Sequence, residues 1–214
     1  PVDGLSISSF SSTNTSGTAT LAQSSAQYAI GLFDNSDNTW DNLTSDGSGA
    51  GNVSAAGNFD IGKGYAMASV SGGTGLLVFT GTIAVVDQTQ AIINNDAASS
   101  GAGSRWDLVA NPFPSFINAN NDADETDNFL TVNTAKLDDT YEAVYGYDAD
   151  GSGYTIYNHT YSSNTAVYIA PGQAFMVASD DTSSDTVSFN EAMQTTSGSD
   201  DFISGDDMND VYEI

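Results

Sequence analysis

Carboxylates are the side chains best placed to do chemistry in this chain, and their spacing offers hard-cation binding. Asn121-Asp122-Ala123-Asp124-Glu125-Thr126-Asp127 packs four carboxylates into six residues. Such neighbours repel one another, so a bound cation would neutralise and stabilise the loop. In Asp148-Ala149-Asp150-Gly151-Ser152-Gly153 the carboxylates alternate as they do at the opening of a calcium loop, where oxygens at positions 1, 3 and 5 converge on one ion. An EF-hand would close with Glu at position 12, where this chain has His159, and the segment lies between β-type runs. Its other reading is a hairpin turn, since Asp-Gly is a strong hairpin signal. The expected metal set is Ca2+ on Asp122, Asp124 and Asp127, with Asp148 and Asp150 from a partner loop. Asp200, Asp201, Asp206, Asp207 and Asp210 form a further acidic cluster, and Asp34, Asp37 and Asp41 a weaker one.

Aromatics offer a second chemistry. A pyranose face stacks on an exposed ring, and Trp40, Tyr154, Tyr157 and Tyr161 lie in or near loops where they could form a glycan platform. The competing reading is strand packing, the commoner use of such rings in β proteins. Trp106, on an alternating run, reads as core. Gly62-Lys63-Gly64 and Pro171-Gly172-Gln173 read as tight turns in which Gly supplies positive φ, rather than as ligand loops.

The inventory for catalysis is thin. His159 is the one histidine, cysteine is absent, and no serine sits in a nucleophile elbow. A glycosidase needs only a carboxylate pair, but among 28 acids such pairs arise by accident. The expectation is a protein that is not an enzyme.

Charge narrows the partners. The 28 Asp and Glu against 3 Lys and Arg give a formal charge of −25. That field repels nucleic acid and anionic lipid head groups, and suits saline or cation-rich surroundings. No apolar run approaches the ~18 residues a membrane helix needs. PVDGLSISSF lacks the basic and apolar regions of a signal peptide, so the expectation is a segment whose signal is gone or an internal fragment.

The elements that must position these residues read as all-β: β-branched and aromatic runs separated by Gly, Ser, Thr, Asn and Asp. Expected strands are Leu5–Phe10, Ala26–Phe33, Gly64–Val70, Leu76–Ile83, Gln90–Asn94, Trp106–Ala110, Glu142–Tyr147, Tyr154–Tyr157, Ala166–Ile169, Ala174–Ala178 and Thr186–Phe189. Only Asn128–Leu137 has helical spacing, while 11–25, 44–58 and 95–104 read as loops. YAIGLFD at 28–34 resembles EAVYGYD at 142–148, and IGKGYAMAS at 61–69 resembles PGQAFMVAS at 171–179. Phe79 over Phe189 keeps the offset of 110, and Pro1-Val2 falls over Pro112-Phe113. These anchors predict two tandem antiparallel β-sandwich modules, jelly-roll-like and related by duplication, over 1–103 and 104–214. The hinge is RWDLVANPFPSFIN at 105–118, where two prolines around Phe113 end a strand. No run before Pro1 matches Arg105–Ala110, so the first module is expected to leave an unpaired edge, completed by residues beyond the termini or by another chain.

RWDLVANPFPSFIN, EAVYGYD, IAPGQAFMVAS and VSFNEAM are similar to a module in large secreted proteins of the Bacteroidetes, lying upstream of the sorting domain read by the type IX secretion system. FDIGKGYAMAS and LVFTGTI resemble that family's preceding half. The resemblance implies an exported or cell-surface β-sandwich pair with a structural or adhesive role. Asp185-Thr186-Val187 resembles the O-glycosylation acceptor pattern of the same group, with Thr186 as acceptor. The leading expectation is a stalk or adhesin segment of a larger parent chain, its acidic loops quieted by calcium or salt. The rivals are a carbohydrate-binding module beside a polysaccharide-degrading enzyme, with surface polysaccharide as partner, and a fibre subunit completed by a neighbour's strand.

Overall fold

Runs of Val, Ile, Tyr and Phe broken by Gly, Asn and Asp produce short strands joined by tight turns. The computed structural model describes residues 2–15, 21–70, 76–96, 103–148, 153–159, 165–180 and 184–198. Among these the order is β1 (Val2–Asp3), α1 (Ile7–Asn14), β2 (Gln23–Ser24), β3 (Gln27–Asp34), β4 (Thr39–Thr44), β5 (Ala66–Met67), β6 (Thr82–Ile83), β7 (Gln88–Ile92), β8 (Trp106–Ala110) and β9 (Phe116–Asn118). Then follow α2 (Phe129–Asn133), β10 (Ala143–Asp148), β11 (Gly153–Asn158), β12 (Tyr168–Ile169), β13 (Ala174–Ala178), β14 (Asp185–Phe189) and β15 (Gln194–Thr195). The fold is all-β, in several antiparallel sheets with two short helices. One sheet runs β11-β10-β13-β8, another β12-β9-β15, and β14 pairs with β7. β3 pairs with β2, β4 and β5, and β1 with β6.

Three expectations are corrected. Leu5–Phe10 is not a strand: Ser6 caps a helix there, its Oγ accepting from Ser9 N–H at 3.1 Å. Ile7, Phe10, Ser11 and Asn14, at helical spacing, are buried. Over so short a window LSISSF fits either period, and the cap decides. Of Leu76–Ile83 only Thr82–Ile83 joins a ladder. Trp40, expected in or near a loop, lies on a strand outside those expected, β4, opposite Phe33 of β3.

Apolar side chains gather in two clusters. One holds Leu5, Ile7, Phe10, Ile30, Leu43 and Phe59; the other holds Val109, Phe113, Phe129, Phe175, Val187 and Phe189. Ile92 of β7 belongs to the second, so the clusters part before residue 103. Equivalent contacts recur between them at offsets of 110 to 119 residues. Gly31 of β3 faces Ala66, as Tyr145 of β10 faces Met176. Leu21 bridges Ser69, as Leu137 bridges Ser179. Phe10 meets Phe79 with ring centroids 4.6 Å apart, as Phe129 meets Phe189 at 5.2 Å.

A buried Asn repeats most closely. Asn14 Nδ2 donates to Phe10 O (2.9 Å) and Val78 O (3.0 Å), and Oδ1 accepts from Val78 N–H (2.8 Å). Asn133 does the same with Phe129 O (2.8 Å), Ser188 O (2.9 Å) and Ser188 N–H (2.7 Å). Each amide ties the end of a helix to a distant extended segment and leaves no buried donor idle.

β8 joins the two halves. It pairs along β13 from Trp106 to Ala110, and its other edge meets the first half, with Ala110 N–H donating to Gly62 O (2.8 Å) and Gly64 N–H to Leu108 O (3.0 Å). Gly64 is required by that approach, because a Cβ there would lie 2.4 Å from Leu108 Cγ. Asn35 reinforces the seam by donating to Ile93 O (2.7 Å) and Asp107 Oδ1 (3.1 Å).

Candidate functional site

The acidic loop is built on asparagines. Asn120 holds its base, donating to Thr165 O and accepting from Ala123 and Val167 N–H. Asn128 caps α2 and donates to Asp124 O at 2.7 Å. His159 reaches in from the end of β11, its Nδ1 3.2 Å from Asn121 Oδ1 and its Nε2 2.8 Å from Glu142 Oε1. The lone imidazole thus pins this loop to the β10–β11 hairpin.

Within the loop the three expected ligands differ. Asp124 Oδ1 accepts from Thr126 N–H (2.9 Å) and Asp127 N–H (2.8 Å), and these backbone donors hold its pKa below the ordinary value. Its carboxylate is already occupied in shaping the turn. Asp122 Oδ2 is buried and finds no hydrogen-bond partner among the described residues. Asp127 accepts a 3.4 Å contact from Thr126 Oγ1. Asp148 ends β10 opposite Gly153, while Asp150 and the cluster at 200–210 lie outside the described residues. Among the described residues no three His, Asp or Glu side chains are grouped to hold a metal.

The glycan candidates separate. Trp40 and Tyr154 are 46% and 48% exposed, each opposite another ring: Phe33 with centroids 5.3 Å from Trp40, Tyr147 at 5.7 Å from Tyr154. The two pairs occupy matching positions on the β3–β4 and β10–β11 hairpins, with Tyr147 and Tyr154 both exposed and Phe33 half-buried beneath Trp40. Tyr157 instead packs against the second cluster, and Tyr161 lies outside the described residues. Trp106 is half-buried, its ring 4.7 Å from Tyr145 and 5.7 Å from Tyr141. Thr186 is exposed on β14, beside an Asp185 that Lys136 grips at 2.9 and 3.0 Å.

Gly62 (φ 82°) and Gly172 (φ 70°) occupy the matching turns at positive φ, as the turn reading requires. Between those turns lies a cavity of about 280 Å3 lined by Phe59, Lys63, Tyr65, Met67, Phe79 and Asn111. Sequence reasoning passed over this cavity, and over the buried asparagines 14, 111, 120, 128 and 133. A signal for two of them was present: Phe10-Ser-Ser-Thr-Asn14 and Phe129-Leu-Thr-Val-Asn133 share an F-x-x-x-N spacing. Asp107, on the seam, is strongly perturbed: burial raises its pKa from 3.8 to about 7, although Ile93 N–H donates to it at 3.1 Å.

A family model described as "Domain of unknown function (DUF8693)" matches residues 6–211. The chain belongs to that family. The DUF8693 match runs through both clusters, so one family unit contains both halves, the β8 seam and the acidic loop. No curated protein and no solved structure matches the chain.

Proposed function

We propose that this chain is a non-catalytic structural or adhesive module, one sandwich-type unit built twice, from a large secreted or cell-surface bacterial protein. The observation that carries this reading is β8, hydrogen-bonded to β13 of one half and to Gly62–Gly64 of the other. Halves joined through a shared strand pass a pull across backbone hydrogen bonds, where a flexible linker would let them swing. The recurring Asn14 and Asn133 clamps support a unit selected for rigidity. The net charge of −25 fits saline surroundings, and the resemblance of NPFPS and PGQAF to Bacteroidetes surface modules supports export by the type IX route. Ca2+ is the proposed stabiliser of the acidic loop, where Asp122 offers an oxygen without a partner among the described residues.

NMR relaxation tests the stalk role. The two halves should tumble with one rotational correlation time, and independent tumbling would remove the stalk. A second reading, glycan binding, is favoured by one observation: an aromatic pair with at least one exposed ring recurs on both hairpins.

A further inference from the structure

Several contacts recur in both halves, but the edge beside β5 differs from the edge beside β13. In the second half β13 has β10 on one side and β8 on the other. In the first half β5 pairs with β3, and among the described residues no named strand pairs with its other edge. Burial follows the difference. Met176, Ala178 and Ser179 are 6%, 0% and 0% exposed, whereas Ala66, Ala68 and Ser69 at the same positions are all exposed. Phe189 is fully buried; its counterpart Phe79 is 38% exposed, in a stretch with Leu76 and Val78 open to solvent.

The receptor for the absent neighbour is nevertheless built. In the second half β8 lays five residues along β13, then turns at Asn111 and inserts Phe113 into the core. Asn111 locks that corner by donating to Ser115, Ile169 and Ala170 carbonyls and accepting from Phe113 N–H at 3.0 Å. The first-half counterparts of Ile169, Ala170 and Gly172 are Phe59, Asp60 and Gly62, which line the 280 Å3 cavity around the same positive-φ turn. The cavity therefore lies where a second Asn-Pro-Phe corner would seat.

We propose that the outer edge of β5 and this cavity form a docking groove for an extended segment with the chemistry of Arg105–Ser115: alternating apolar residues followed by an Asn-Pro-Phe-Pro corner. Strand addition satisfies the edge amides, and the corner's aromatic fills the cavity beside Phe79. Charge favours such a segment over the body of a second copy. Arg105–Ser115 carries one cation and one anion, while two copies would each bring −25. The groove also continues the β8 seam, since Ala110, Asn111 and Gly172 form its far wall. This inference rests on the equivalence of the two halves in the function proposed above, but not on the stalk role.

The chain has no cysteine, so the register can be read by cross-linking. Ala68 matches Ala178, which faces Trp106. A synthetic peptide of residues 105–115 bearing Trp106→Cys should form a disulfide with the full chain carrying Ala68→Cys. Its rate should exceed that with Ser36→Cys, an exposed control, by at least about tenfold, as bound geometry raises effective concentration. The unmodified peptide should bind the unmodified chain saturably and raise its Tm, while a scrambled peptide should do neither. Equal cross-linking rates at the two cysteines would overturn the proposal, as would an unmodified peptide that leaves Tm unchanged. Self-association of the chain that the peptide fails to compete would assign the face to a second copy and overturn it too. None of these results bears on whether the halves tumble together.

Discussion

Asn133 closes a two-point clamp on Ser188, donating to its carbonyl at 2.9 Å and accepting from its N–H at 2.7 Å across 55 residues of sequence. Asn14 holds Val78 in the same way across 64 residues. Asn133→Ala strips a buried N–H and a buried carbonyl of their partner, so it should cost on the order of 2–4 kcal/mol in urea unfolding. Asn14→Ala should fall in the same range. A loss below about 0.5 kcal/mol in both would show that water replaces the amide and that the clamps contribute little.

Asp107 sets a pH dependence at the seam. Its folded pKa of about 7 lies above the unbound value of 3.8, so the folded state takes up the extra proton. Stability from this group is therefore complete below the unfolded pKa and is lost as pH rises through about 7. Between pH 5 and 8 the loss should be at most about 3 kcal/mol, and Asp107→Asn should flatten that slope. Asp34, Asp124 and Asp185 work in the opposite sense. Their pKa values are lowered, so their contributions are lost in acid, below the ordinary 3.8. Tm measured from pH 2 to 9 should pass through a maximum, and an identical profile for Asp107→Asn would remove Asp107 from this role.

Gly64 tests the coupling of the halves. Gly64→Val would place side-chain carbon inside Leu108 and within 3.0 Å of Ala174 Cβ. The seam should open at a cost of about 1–3 kcal/mol, and the single unfolding transition should split in two. A single transition at unchanged Tm would mean that the seam carries no strength.

Calcium should raise Tm and a chelator lower it, with saturation set by occupancy. Asp122→Asn should abolish the response. A melting curve identical in calcium and chelator would retire the ion.

Retention on a polysaccharide array, if the aromatic pairs bind sugar, should vanish with Trp40→Ala or Tyr154→Ala while Tm stays nearly fixed. Retention unaffected by both changes would place any glycan contact elsewhere.

The strands that sequence located best are those buried on both edges. Trp106–Ala110 and Ala174–Ala178 are expected at the bounds they occupy, because strands flanked on both sides are mostly apolar along their length. Edge strands announce themselves weakly. β4 is half polar, and composition gives no strand there. Leu76–Gly81 has a strand's composition but no ladder, since pairing depends on a neighbour that composition cannot report. The acidic loop was legible as a run of carboxylates, yet its architecture comes from Asn120, Asn121 and Asn128, whose amides look like ordinary loop polarity in a one-dimensional string.

All three of the chain's cations are already spoken for: Lys63 by Asp60, Arg105 by Asp96 and Asp138, Lys136 by Asp185. The molecule consequently shows its surroundings an almost unrelieved anionic skin. Neighbours crowded side by side in dilute medium would hold one another at arm's length. In brine that stand-off shrinks to well under about 10 Å. Sideways spacing thus follows the salt concentration of the surroundings.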